Sequence, residues 1–95
     1  MNITRREVAK IFSSNLRVLL TEKGLKCTSQ TGLNHIAQIS QISSIKLKSW
    51  VFAERLPHKQ SLKELAQWLD CNESDLIPPE YANFINNRGI RKCND

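Results

Sequence analysis

A chain of 95 residues, 40% hydrophobic and 24% charged, has the size and composition of one globular domain. No run approaches the roughly 18 apolar residues of a membrane span, and no apolar core follows the charged N-terminus, as a signal peptide requires. The net charge of +5 favours a polyanionic partner. The three cysteines are widely spaced and form no metal-ligand pattern, so we expect reduced thiols in the cytoplasm, with no metal and no cofactor.

The first predicted helix begins at Thr4, which has the spacing of a capping box with Glu7. Apolar residues then recur at helical spacing: Val8, Ile11, Phe12, Leu16, Leu19 and Leu20. Gly24 is expected to end this helix. Residues 25–32, LKCTSQTG, are polar and predict a loop, after which Leu33 opens a second apolar group.

The stretch ISQISSIKLKSW, residues 39–50, is compatible with one helix or with two. In a single continuous helix Ala37 and Val51 would share the buried face, whereas Ile42 would point into solvent about 180° away. A turn near Gln41 would change the direction in which the following side chains point. Ile42 could then face the core, and Ser43 would be the N-cap of a new helix. This reasoning predicts a helix-turn-helix at about 33–53, with helices at about 33–40 and 44–53. The second helix would bury Leu47 and Trp50.

Two further helices are predicted after Pro57, which no helix can pass through. One begins at Gln60 or Ser61, and a short one is capped by Asn72 with Asp75. The prediction is an all-α, five-helix domain at residues 1–78, followed by a partly disordered tail at 79–95. The tail carries one apolar patch: Tyr81, Phe84 and Ile85.

The segment from His35 to Ile77 resembles the DNA-binding domain of the lambda repressor, Cro and 434 repressor class, the XRE-type helix-turn-helix family. The likeness covers roughly residues 9–77 and rests on one register: Ala37, Ile42, Leu47, Trp50 and Pro57. It implies a lambda-repressor-like fold and a transcription regulator, usually a repressor, that binds double-stranded DNA as a homodimer on an operator. The short chain is most similar to Cro-like regulators of phages or mobile elements, which act in a bacterial cell or phage-infected host.

Two positions depart from the family pattern. Gln41 stands where the family usually has glycine, because that residue tends to need a positive φ. The connection before the second helix is about five residues longer, which puts Leu33 where a phosphate-binding glutamine is usual. Asn34 or Thr31 would have to take its place.

The resemblance assigns the DNA contacts to particular positions. Base contacts fall on the predicted recognition helix, at Ser44, Ile45, Lys48 and Ser49. Phosphate contacts are expected from Ser43, Lys46, Arg55, Lys59 and Asn34, with Lys63 as a further candidate. The outward isoleucine suits a thymine methyl group. The alternative is an ordinary solvated helix face beside a capping serine.

Three other functions are possible alternatives to a DNA-binding regulator. An enzyme is disfavoured, since no catalytic residue set is visible in the sequence. An antitoxin-like or accessory regulator would bind a partner protein through the tail patch. A protein-interaction module would use the same fold without DNA.

Overall fold

The computed structural model describes residues 3–85, and the six elements in this range are all helical. The α-helices are α1 (Arg5–Glu22), α2 (Gln30–Ser40), α3 (Ser44–Val51), α4 (Lys59–Leu69) and α5 (Glu73–Leu76), followed by a 3₁₀ helix (Pro79–Phe84). The expected all-α class is therefore confirmed. Within residues 3–85, no helix combines the length and the apolar character needed to cross a bilayer.

The capping box at the start of α1 is confirmed. The backbone N–H of Glu7 donates to Thr4 Oγ1 at 3.2 Å, and the backbone N–H of Thr4 donates to Glu7 Oε1 at 2.8 Å. The helix ends as expected before Gly24, whose φ of +77° suits a residue without a Cβ. The face between these ends is buried at Val8, Phe12, Leu16 and Leu20.

Helix α2 begins at Gln30, so the predicted loop over 25–32 is wrong in its last three residues. Ser29 is the N-cap, and its Oγ accepts a hydrogen bond from the backbone N–H of Gly32 at 3.0 Å. Gly32, a residue of the predicted loop, lies inside the helix. A Cβ there would collide with the backbone carbonyl of Lys26, so close chain approach explains this glycine.

Helices α2 and α3 are separate, and the predicted turn at Gln41 is confirmed. Gln41 has φ 67° and ψ 17°, the left-handed region, and its N–H donates to the carbonyl of Ala37 at 2.9 Å. Ile42 is half-buried against the core, and Ser43 caps α3 by accepting from the backbone N–H of Ile45 at 3.2 Å. The helix ends at Val51 rather than at the expected residue 53, because the backbone turns into the left-handed region at Ala53, with φ 60°.

The last two α-helices follow the sequence pattern closely. Helix α4 begins at Lys59, one residue before the expected start, and its N-cap His58 makes no side-chain cap hydrogen bond. The capping box at Asn72 is confirmed, since its N–H donates to Asp75 Oδ2 at 3.0 Å. Helix α5 stops before Pro78.

The core is built around α1, which contacts α3, α5 and the 3₁₀ helix. The rings of Phe12 and Trp50 meet edge to face with their centroids 6.1 Å apart. Fully buried residues from the other helices complete the core: Leu33, Ile36, Leu47, Val51, Leu65 and Leu76. This packing holds the inner side of α3 and leaves its other side facing outward.

The first part of the predicted tail packs against the helices. Ile85 is buried at 7% exposure, and Tyr81 and Phe84 are half-buried against the core. The Arg5 side chain donates from Nη1 to the carbonyl of Phe84 at 3.0 Å, tying this segment to the start of α1. Residues 86–95, the rest of the predicted tail, lie outside the described residues.

Candidate nucleic-acid interface

Helix α3 has one buried side and one outward side. Leu47, Trp50 and Val51 are buried, whereas Ile45 is 77% exposed. Successive helical residues are about 100° apart, so Ser49 lies one turn from Ile45 on the same side. The amphipathic pattern that buries Leu47, Trp50 and Val51 thus leaves the apolar Ile45 on the surface, flanked by polar residues.

Three of the four predicted base-contact residues lie together on this outward side. Ile45 and Lys48 are exposed, and Ser49 is half-buried beside them. Ser44 is half-buried in the first turn of α3, toward the side of Val51. The predicted set is therefore centred on Ile45 rather than on the helix start.

The predicted phosphate-contact residues are more dispersed. Two of them, Lys46 and Arg55, line a cleft of about 270 Å³. This cleft is also bordered by the predicted base contacts Ile45 and Ser49, and by Glu54 and His58. Ser43 lies at the turn before α3, and Asn34 is on α2, where its Oδ1 accepts a hydrogen bond from Gln30 Nε2 at 2.9 Å.

Lys59 lies at the start of α4 and is already paired. Its Nζ is 3.2 Å from Glu73 Oε1, in an ion pair whose side chains are 52% and 35% exposed. Lys63 is exposed on the same helix. Because exposed ion pairs contribute only about 0–1 kcal/mol, the pairing leaves Lys59 able to exchange its partner.

Helix α3 has no acidic residue of its own, although Glu54 borders the cleft beside it. The sequence has no Asp or Glu from residue 23 to residue 53, a segment that includes all of α2 and α3. Residues 70–80 instead carry Asp70, Glu73, Asp75 and Glu80 with no basic residue. An anion approaching the outward side of α3 therefore meets lysines without compensating carboxylates on that helix.

Two hydroxyl groups flank the backbone of Ile45. Ser43 Oγ accepts from the backbone N–H of Ile45 at 3.2 Å. Ser49 Oγ donates to the backbone carbonyl of Ile45 at 3.1 Å. The two serines, which both lie on the predicted DNA side, thus have opposite hydrogen-bonding roles toward the protein.

The C-terminal end of α3 is anchored by α1, a feature that sequence reasoning missed. The carbonyl of Val51 accepts from Ser13 Oγ and from Arg17 Nε, the latter at 2.9 Å. The Arg17 guanidinium also lies over the Phe52 ring, 5.5 Å from its centroid. Val51 is 34 residues from Arg17 along the chain, so no local pattern indicates the contact. These bonds fix the angle at which α3 leaves the core.

Within residues 3–85, no group of three or more His, Cys, Asp or Glu side chains is placed to hold a metal ion. Cys27 is buried and Cys71 half-buried, both as free thiols. Burial raises the pKa of the Cys71 thiol, and the nearby Asp75 and Asp70 carboxylates raise it further against a smaller opposing effect of Lys23. A thiol of raised pKa is a weak nucleophile at neutral pH.

No family model, no curated protein and no solved structure matches this chain.

Proposed function

We propose that the protein is a transcription regulator that binds double-stranded DNA in a sequence-specific manner, with α2, the turn at Gln41 and α3 as a helix-turn-helix of the XRE type. The observation that carries this proposal is the outward side of α3. There Ile45 is 77% exposed between lysines and serines, on a segment without acidic residues. An apolar side chain surrounded by hydrogen-bond donors and acceptors complements base edges in a groove.

The dimensions of α3 suit the major groove. An α-helix with its side chains is about 10–12 Å across, and the major groove, about 12 Å wide, admits it. The eight residues of α3 then present about two turns to the base edges. In this placement Ile45 contacts a thymine methyl group and Lys48 reaches guanine O6 and N7. The anchored carbonyl of Val51 keeps the helix at one angle while it is inserted.

Backbone contacts would surround this helix. Lys46 and Arg55 line the cleft beside α3, and the Ser43 hydroxyl lies at its start. Lys59 joins them by exchanging Glu73 for a phosphate. Asn34 lies apart from this cleft, on the second turn of α2.

We further propose that the protein acts as a homodimer, most simply as a repressor that occupies an operator, in the cytoplasm of a bacterial cell or phage-infected host. One domain of this size makes few base contacts, and two joined copies gain affinity and selectivity. Half-sites of such dimers lie about 34 Å apart. The extents of the molecule, 37 × 34 × 22 Å, allow two copies side by side at that distance.

The rival function of a partner-binding tail has less support. Ile85 is buried and Tyr81 and Phe84 are half-buried against the protein's own helices, so little of the tail patch is free for a partner. A protein-interaction module without DNA would leave the exposed lysines of α3, a helix that has no acidic residue of its own, without a role.

The decisive experiment is selection of binding sites from a random duplex library at about 150 mM salt, where non-specific binding is weak. We expect an enriched inverted repeat whose half-sites are about one helical turn apart. Binding without enrichment of a sequence would contradict sequence-specific regulation and indicate a general attraction between the basic protein and DNA. Absence of any binding would remove the proposal and favour a protein partner.

A further inference from the structure

The hydroxyl groups of Ser43 and Ser49 present different atoms to solvent. A serine hydroxyl has one proton to donate and two lone pairs to accept with. Ser43 Oγ uses a lone pair for the Ile45 N–H, at 3.2 Å, so its own proton stays free to donate. Ser49 gives its proton to the Ile45 carbonyl, at 3.1 Å, so only its lone pairs face outward.

Ser49 is also the serine better placed to meet a base. It lies one turn beyond Ile45 on the same side of α3 and lines the cleft that Ile45 and Lys46 border. Ser43 precedes the helix and is committed to capping it. A proton free to donate at the helix start suits a phosphate oxygen, whereas an acceptor in the middle of the outward side suits a base edge.

We infer that Ser49 is a specificity-determining residue that accepts a hydrogen bond from the exocyclic amino group of adenine or cytosine. This inference rests on the proposed function and names the base class that it reads. In the major groove adenine N6 and cytosine N4 are donors, whereas guanine O6 and N7 and thymine O4 are acceptors only. Lone pairs on Ser49 complement the first two edges and oppose the other two.

This inference gives three residues of α3 different base contacts. Lys48 has only protons to donate and so suits an acceptor such as guanine O6 or N7, whereas Ser49, whose proton is engaged by the Ile45 carbonyl, suits the amino group of adenine or cytosine. Ile45 lies between them with its backbone N–H and carbonyl both engaged by serines, and it offers only methyl and methylene groups. The three residues together specify three chemically different base edges.

The test compares selected sites of the wild-type protein and of Ser49→Ala under the same salt conditions. One hydrogen bond is worth about a 2- to 10-fold preference. We expect the variant to lose this preference for adenine or cytosine at one position of each half-site and to keep the others. Ser49→Thr retains the hydroxyl and should retain the preference. Ser14→Ala, at an exposed position of α1, is the matched control and should leave the selected site unchanged.

A base analogue tests whether the exocyclic amino group itself is the hydrogen-bond donor to Ser49. At the position identified, deoxynebularine replaces adenine and removes only the N6 amino group, and a pyrimidinone nucleotide does the same for cytosine N4. Wild-type protein should bind the analogue about 2- to 10-fold more weakly, whereas Ser49→Ala should bind both duplexes equally.

The outcomes separate the two proposals. If the wild-type protein selects an operator and Ser49→Ala selects the same one with equal preference at every position, Ser49 does not read a base, although the regulator function stands. An equal analogue penalty in both proteins, or a wild-type preference for guanine or thymine lost in Ser49→Ala, would also overturn the inference. If no site is selected at all, the proposed function fails and takes this inference with it.

Discussion

Lys48 and Lys59 are both exposed cations, but their surroundings predict different roles. Lys48 lies on the outward side of α3 one turn from Ser44, with no acidic residue on that helix. Lys59 begins α4 and is held 3.2 Å from the Glu73 carboxylate. We therefore expect the first to distinguish bases and the second to contact a phosphate.

Lys48→Ala should relax base preference at one or two positions of the operator, by about 1–3 kcal/mol, because it removes a donor to a base edge. The measurement is the affinity for a panel of operators with single base changes. Lys46→Ala, two residues earlier and about 200° away around the same helix, is the control and should weaken all operators alike. A uniform loss for Lys48→Ala would move this residue to the phosphate contacts.

Lys59→Ala should weaken binding to every sequence equally and lower the slope of log affinity against log salt by about one. Glu73→Gln removes the competing carboxylate and should tighten binding, because Lys59 is then free for a phosphate. Titrations at several salt concentrations measure both effects. An unchanged slope in Lys59→Ala would show that this lysine stays outside the interface.

At the scale of single elements, the turn between α2 and α3 depends on Gln41. Its φ of 67° is a conformation that costs an ordinary residue roughly 1–2 kcal/mol, and glycine much less. The side chain is exposed, so replacing it changes the backbone preference with little loss of packing.

Gln41→Gly should therefore stabilise the protein by roughly 0.5–1 kcal/mol, after the greater entropy of glycine in the unfolded chain is subtracted. Gln41→Val should destabilise it by more than 1 kcal/mol, since a β-branched side chain is especially unfavourable at positive φ. Denaturant unfolding of the three proteins gives the comparison. Equal stabilities would mean that the turn relaxes away from the left-handed conformation.

Features that depend on local chemistry could be predicted from the sequence. Both capping pairs, the turn near Gln41 and the cap at Ser43 follow from the local residue pattern, whereas the positive φ at Gln41 was expected from the family resemblance. The start of α2 was missed because Gly32 resembles a helix breaker, whereas its role is set by the distant backbone of Lys26. Ser29, the residue that caps this helix, was the available signal.

Contacts between residues far apart in the chain could not be predicted in this way. Arg17 meets Val51 across 34 residues and Lys59 meets Glu73 across 14, and neither pair has a periodicity that indicates it. For the candidate interface, the sequence placed Ile45, Lys48 and Ser49 on one side of α3, as in the structure. The opposite hydrogen-bonding roles of Ser43 and Ser49 required the side-chain geometry.

At the scale of the whole molecule, α1 connects the candidate interface to the C-terminal segment. Its Ser13 and Arg17 bond the end of α3, and its Arg5 bonds the carbonyl of Phe84. Ile85 enters the same core that holds α3 in place. The packing therefore predicts that this segment contributes to folding.

Ile85→Ala should destabilise the isolated protein by about 2–4 kcal/mol, since a buried isoleucine loses transfer energy and leaves a cavity. Val18→Ala is the control at a residue that is 53% exposed, and it should cost much less. Thermal and denaturant unfolding without any partner or DNA measure both changes. If Ile85→Ala were as stable as the wild-type protein, Ile85 would not belong to the core and would again be a candidate contact for a partner protein.

The hydrogen bond from Arg5 to Phe84 also has a topological consequence. It joins residues 79 positions apart, so the two ends of the described chain meet beside the start of α1. The first and the last of the described helices therefore lie side by side in the folded protein. We therefore expect a variant in which a linker joins residues 3 and 85 and the chain opens at the exposed Gly24 to keep the same helix packing. The order of the helices along the chain is therefore separable from the way they pack.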